Sequence, residues 1–233
     1  MCLSATVSFS AAAVLFSTGL YAVYQARQLP TPYMLWALTP ILFGLQQAFE
    51  GGVWLELDAG NASAAVPYAQ GFHFFSHFLW LWWFPLSTYL VEPGQTNYID
   101  KLRNKLFATC AIFGVFSGTL VYTVILSHAE WMTVLIKENS IVYDFEVPYH
   151  SDIQIPITPA MLYIMTILLP LLFSTHKLIR IFGVLIVLSV ILTTAINNSA
   201  FVSVWCFFAA VLSLYLVYMI RNLVLTAQSL PAS

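Results

Sequence analysis

The stretch LIRIFGVLIVLSVILTTAINNSAFVSVWCFFAAVLSLYLVYMIR, residues 178–221, carries charge only at Arg180 and Arg221. A helix needs roughly 20 apolar residues to cross about 30 Å of hydrocarbon. This run is too long for one crossing. Asn197 and Asn198 interrupt it near the middle, where a tight hairpin would divide it into spans at 178–196 and 199–221. Further apolar runs, bounded by charges, prolines or polar clusters, fall at about 4–26, 34–55, 68–91, 104–127 and 159–175. The pattern predicts an all-α integral membrane protein, a single seven-helix transmembrane domain over residues 1–233.

Composition agrees. Of 233 residues, 60% are hydrophobic and 8% charged, against about 25% charged in a soluble domain. So few charges cannot cover a soluble surface, which excludes an ordinary soluble enzyme, a nucleic-acid binder and a disordered chain. The net charge of −2 implies no acidic or basic partner. Cys2, Cys110 and Cys206 have no CxxC spacing and read as small apolar residues. No Lys or Arg precedes Arg27 and no small-residue cleavage pattern ends the first run, so it reads as a retained span and not as a signal peptide.

Seven crossings sort the basic residues. One side receives Arg27, Lys101, Arg103, Lys105, Lys177, Arg180 and Arg221; the other receives only Lys137. By the positive-inside rule the amino terminus lies outside and the carboxyl terminus in the cytoplasm. On the outer side, 56–67 carries Glu56 and Asp58, and the long segment 128–158 carries Glu130, Glu138, Asp144, Glu146 and Asp152. Within it Ile141, Tyr143, Phe145 and Val147 alternate with Val142, Asp144 and Glu146, a period-two pattern that predicts an extended stretch or hairpin arm in a folded outer cap. No internal repeat emerges. Gly114 and Gly118 form a GxxxG match, a weak sign of close helix approach.

Ionisable groups within hydrocarbon are costly and therefore candidates for function. The second span holds Gln46, Gln47 and Glu50, with Gln46 and Glu50 on one face. The third holds His73, Ser76 and His77, with the two histidines on one face. Antiparallel packing of these spans would bring Glu50 to His73 and Gln46 to His77. Three readings compete. Glu50, His73 and His77 could clasp zinc or another divalent metal as a His₂-carboxylate set, the group could be an interhelical polar cluster that fixes packing, or it could relay protons or bind a ligand. Asn197, Asn198 and Ser203 lie at similar depth, which predicts a polar cavity opening to the outer side. Histidines on one helix face cannot both be axial ligands of one iron, so haem is disfavoured. Glu92, before Pro93, reads as an interfacial helix terminus.

Retinal is disfavoured, because 199–221 contains no lysine of the kind microbial rhodopsins use. Seven-span zinc hydrolases of the alkaline-ceramidase type place H-x-x-x-H in the last helix, whereas here it is in the third span. The basic triplet of G-protein-coupled receptors is missing. Instead, Met1-Cys2-Leu3-Ser4-Ala5-Thr6-Val7-Ser8-Phe9, Phe43-Gly44-Leu45-Gln46-Gln47-Ala48-Phe49-Glu50-Gly51 and Ser203-Val204-Trp205-Cys206-Phe207-Phe208-Ala209-Ala210 resemble an uncharacterised family of bacterial seven-span membrane proteins. The resemblance covers most of the chain. It implies a bacterial inner-membrane protein and brings no activity, cofactor or site. The expected function is that of a multi-pass membrane protein in the lipid bilayer. It would bind a small ligand or lipid, or join a membrane complex through a partner on the outer side, with no nucleic acid. A metal-dependent membrane enzyme built on Glu50, His73 and His77 is the alternative.

Overall fold

A computed structural model describes residues 4–94, 97–137, 139–145, 159–196 and 200–229. Of these residues 84% are helical. In chain order come α1 (Ala5–Ala26), α2 (Tyr33–Asp58), α3 (Ala62–His73), a π-helical segment (Phe74–Leu79), α4 (Trp80–Val91) and α5 (Tyr98–Ser127). A 3₁₀ turn (Ala129–Trp131) leads into strands β1 (Met132–Lys137) and β2 (Ser140–Phe145), and then come α6 (Pro159–Phe173), α7 (Lys177–Ile196), α8 (Phe201–Leu212) and α9 (Leu214–Ser229). The α3, π and α4 segments form one unbroken rod, and only Ser213 separates α8 from α9.

Four helices are long and apolar enough to cross a membrane: Ala5–Ala26, Tyr98–Ser127, Lys177–Ala195 and Phe201–Ser229. They mark the chain as a membrane protein. The rod α2 is as long but carries Gln46, Gln47, Glu50, Glu56 and Asp58, and α6 has only 15 residues.

Local chemistry sets the ends. Ser4 caps α1 by accepting from Val7 N at 3.4 Å, and Asn97 caps α5 by accepting from Asp100 N at 2.9 Å. Gly60, at φ +76°, takes the left-handed conformation that closes α2. The third rod begins at Ala62, earlier than the expected 68, so only Ala59–Asn61 joins it to α2. Its first turns, Ala62-Ser63-Ala64-Ala65, are modest in hydropathy but strong in helix propensity. Similarly, α5 starts at Tyr98, placing Lys101, Arg103 and Lys105 on a helix and not in a loop. The exposed Lys101 and Lys105 carry their charged heads to water on long stems, while Arg103 turns to Asp100 and Glu92.

Contacts define two ends. Gln228 Nε2 donates to Gln28 Oε1 at 2.8 Å, and Tyr33 meets His176 edge to face. The Glu92 carboxylate accepts from Ser174 Oγ at 2.5 Å, Thr175 N at 3.0 Å and Thr175 Oγ1 at 2.8 Å, while Arg103 Nε lies 3.1 Å away. A carboxylate thus sits on the amino-terminal end of α7, where the helix dipole favours negative charge. These ties gather the termini of α1, α2, α4, α5, α6, α7 and α9 at one end, together with Arg27, Lys101, Arg103, Lys105, Lys177 and Arg180. Lys137 stands on the hairpin at the opposite end, with Glu130 and Asp144.

The hairpin is antiparallel, with Val134 opposite Tyr143 and Ile136 opposite Ile141. The extended stretch expected from 141 onward is seen through Phe145; residues 146–158 lie outside the described ones. Buried Met132, Val134 and Ile141 pack with Val53, Trp54, Ala65, Ala69 and Ile125, so the hairpin closes over the ends of α2, α3 and α5. The larger core is aromatic: Phe43 stacks on Trp80 at 4.0 Å, and Trp80 on Phe84 at 5.3 Å.

The GxxxG pair brings α5 into close approach with the rod that carries Trp80. A Cβ on Gly114 would collide with the Leu81 carbonyl, and one on Gly118 would come within 3.1 Å of Phe78 Cα. Backbone cannot move aside as a side-chain tip can. Gly114→Val is therefore expected to destabilise the fold by about 1–3 kcal/mol or more. Thermal melting in detergent checks this, with Ser117→Ala on the exposed face of α5 as a control that leaves the midpoint in place.

Candidate functional site

Glu50 is fully buried on α2, two turns from its carboxyl-terminal end. Its Oε1 accepts from the Ser203 hydroxyl at 2.5 Å and its Oε2 from Gln47 Nε2 at 3.1 Å. One bond is within α2 and the other crosses to α8. Gln46, one turn before Glu50, accepts from the Trp80 indole at 2.8 Å. Other indoles continue this lattice. Trp83 donates to Thr39 Oγ1 at 3.0 Å, Trp36 to the Ser87 carbonyl at 3.1 Å, and Trp205 to Ser189 Oγ at 3.1 Å. These groups are buried in a bundle surrounded by lipid, so each must find its partner within the protein.

The histidines form a second group. His73 Nδ1 lies 3.0 Å from His77 Nδ1 and 3.3 Å from Ser76 Oγ, and Ser76 Oγ lies 2.9 Å from His77 Nδ1. The three atoms make a compact triangle that locks both rings. Tyr143 and Phe145 of β2 roof His73, with ring centroids 4.6 and 5.5 Å away. His73 Nε2 is buried without a hydrogen-bond partner among the described residues.

The expected meeting of Glu50 with His73, and of Gln46 with His77, does not occur. Glu50 turns to Ser203 and Gln47, and Trp80 takes Gln46. The π-helical segment sets the direction of the helix that follows it: its wider turn adds about one residue, a rotation of roughly 100° relative to a regular helix, whereas His73 lies before it on α3. Trp80, Trp83 and Phe84 then face α2, while His73 faces β2 and His77 lies 6.5 Å from the Tyr163 ring of α6. Among the described residues, no group of three His, Cys, Asp or Glu side chains is placed to hold a metal ion. Asn197 and Asn198 lie outside the described residues.

Ser76 and His77 open onto a cavity of about 280 Å³ between the π segment and α4, α5, α6 and α8. Its other walls include Leu81, Tyr163, Phe201, Val202, Trp205 and Cys206. Gln46, Gln47, Glu50 and Ser203 are not among its lining residues; they form a buried polar joint. Among the lining residues, Val121 of α5 is 43% exposed and Ala160 of α6 is exposed. Two lining residues, Tyr163 and Trp205, carry no signal in the sequence. Tyr163 is an ordinary aromatic in an apolar run, and nothing in its spacing marks it.

Replacing Glu50 tests the buried joint. Glu50→Gln retains an acceptor for Gln47 and a polar group for Ser203, and is expected to melt within about 1 kcal/mol of the parent protein. Glu50→Leu strands the Gln47 amide and removes the acceptor that the Ser203 hydroxyl uses on α2, and is expected to lose about 1–3 kcal/mol. Denaturation in detergent micelles reads both, and equal losses in the two variants would assign Glu50 a role other than hydrogen bonding.

Comparison with curated proteins and with solved structures finds no match. One family model matches, over residues 1–229, with the description "Family of unknown function (DUF6629)". The chain, with its buried Glu50 joint and its histidine-lined cavity, belongs to that family.

Proposed function

We propose that the protein is a seven-span membrane protein, basic end in the cytoplasm of a bacterial cell, that binds a small apolar or lipid-derived ligand in the cavity beside His77. The observation that carries this reading is the cavity itself. It is a recessed, mainly apolar space of about 280 Å³ that Ser76, His77 and Tyr163 line together with apolar side chains, the exposed Val121 and Ala160 among them. Pockets of this description, near the roughly 300–1,000 Å³ of ordinary ligand sites, are the usual places for small-molecule binding. A ligand dissolved in the bilayer could enter between α5 and α6 without crossing water. The seven-span reading draws support from the seven helical rods. The orientation draws support from the basic end, because juxtamembrane Lys and Arg favour the cytoplasm.

Two measurements test this. With single cysteines in intact cells, a membrane-impermeant maleimide is expected to label positions 60 and 145 directly. Positions 103 and 178 are expected to react only after the membrane is opened. Reversal at any one position overturns the seven-span arrangement. For the cavity, mass spectrometry of the gently purified protein is expected to find a bound apolar molecule. Val202→Trp, which fills the space, is expected to exclude it while leaving the fold intact.

A further inference from the structure

We propose that the cavity selects an uncharged ligand, an apolar chain ending in a single carbonyl or hydroxyl group, and that His77 and Tyr163 hold that end. The proposal rests on the cavity being the binding site and adds which head group it takes.

Charge sets the first limit. None of the chain's eight Lys and Arg residues lines the cavity. All eight lie on described segments, six of them on or beside helix ends at the basic end, with Arg221 on α9 and Lys137 on the hairpin. An anionic head would therefore enter a low-dielectric space with no cation to meet it, and a cationic head would meet no carboxylate, because no Asp or Glu among the described residues lines the cavity either; both are strongly unfavourable. A phosphate or sulfonate is excluded on the same ground. An entirely apolar ligand would leave the polar end of the cavity unused.

That polar end is specific. The Nδ1 atom of His77 is committed to His73 and Ser76, at 3.0 and 2.9 Å. The ring nitrogen left over, Nε2, has no hydrogen bond among the described residues, and His77 lines the cavity. Tyr163 lines it too, 6.5 Å from His77 between ring centroids, and its hydroxyl likewise has no hydrogen bond among the described residues. A ligand oxygen between the two could accept from the phenol. It could also bond the imidazole, as acceptor or donor according to the tautomer that the triangle sets. The triangle matters because it holds the ring still, so the bond forms with little loss of side-chain freedom. Around the head, Phe201, Trp205 and Leu81 supply apolar walls, and the chain would leave past Val121 and Ala160 into the bilayer.

A photoreactive long-chain alcohol carrying a diazirine, added to the full-length protein in micelles, provides the test. It is expected to crosslink peptides containing residues 160–164 and 201–206, and Val202→Trp is expected to abolish that labelling. A long-chain alcohol and a methyl ketone of equal length are expected to compete alike, and an alkanesulfonate of that length at least about tenfold less well. Tyr163→Phe and His77→Leu are each expected to weaken competition by the alcohol about threefold to tenfold, and His77→Gln, which keeps a hydrogen-bonding group, by less. Tyr163→Phe removes one oxygen only, so it reads out even if His77→Leu fails to fold. Equal competition by the sulfonate, or unchanged binding in both Tyr163→Phe and His77→Leu, overturns the head-group assignment while labelling blocked by Val202→Trp leaves the cavity reading standing. Labelling elsewhere, or labelling that Val202→Trp does not block, overturns the cavity reading and this assignment with it.

Discussion

A polar group inside an apolar helical bundle is costly unless the protein itself supplies a partner, and the joint around Glu50 is arranged to meet that constraint. Glu50 is its most demanding case. A carboxyl at that position must find donors from the protein, and it finds one on its own helix and one on α8. The bond to Ser203 joins residues 153 positions apart in sequence. It fixes how α8 sits against α2. Since α8 also contributes Trp205 and Cys206 to the cavity wall, the buried carboxyl indirectly shapes the cavity it does not touch.

The indoles extend the same logic across the bundle. Each buried tryptophan brings a large apolar surface and one N–H that must be satisfied. Trp36, Trp80 and Trp83 link α2 to α4, and Trp205 links α8 to α7. Trp80 stacks on Phe43 and Phe84, and the rings of Trp36, Trp83 and Trp205 pack tilted or edge to face while their nitrogens bond, so packing and polarity specify one register together. At the basic end Glu92 plays a comparable part with a charge. Its carboxylate joins the end of α4 to the start of α7 and to Arg103 of α5.

The π segment separates two chemistries that a regular helix would have merged. It turns the tryptophans beyond it toward α2, while His73 before it and His77 within it face the hairpin and α6. Such segments cost hydrogen-bond quality and are found where a side chain must point in a particular direction. Here the consequence is a sealed polar joint on one side and a cavity with an imidazole at its end on the other. The hairpin closes over His73 through Tyr143 and Phe145, so the histidine pair is held from above as well as from within its own rod.

Composition and spacing alone settle the class. Long apolar runs and a charged fraction of 8% require a membrane helix protein, because no other solvent suits that surface. They also locate the apolar rods to within a few residues at most ends, the charge asymmetry, the extended arm at 141–145, and the polar residues worth attention: Gln46, Gln47, Glu50, His73, Ser76, His77 and Ser203. These are local properties, legible along one segment at a time. Partnership is not local. That Glu50 meets Ser203 and not His73, that Trp80 takes Gln46, and that Tyr163 faces His77 depend on how each helix is rotated about its axis. For Trp80 that rotation is set by a π turn, which leaves no mark in a 3.6-residue pattern, and for the rest by contacts between segments distant in sequence, 153 residues in the case of Glu50 and Ser203.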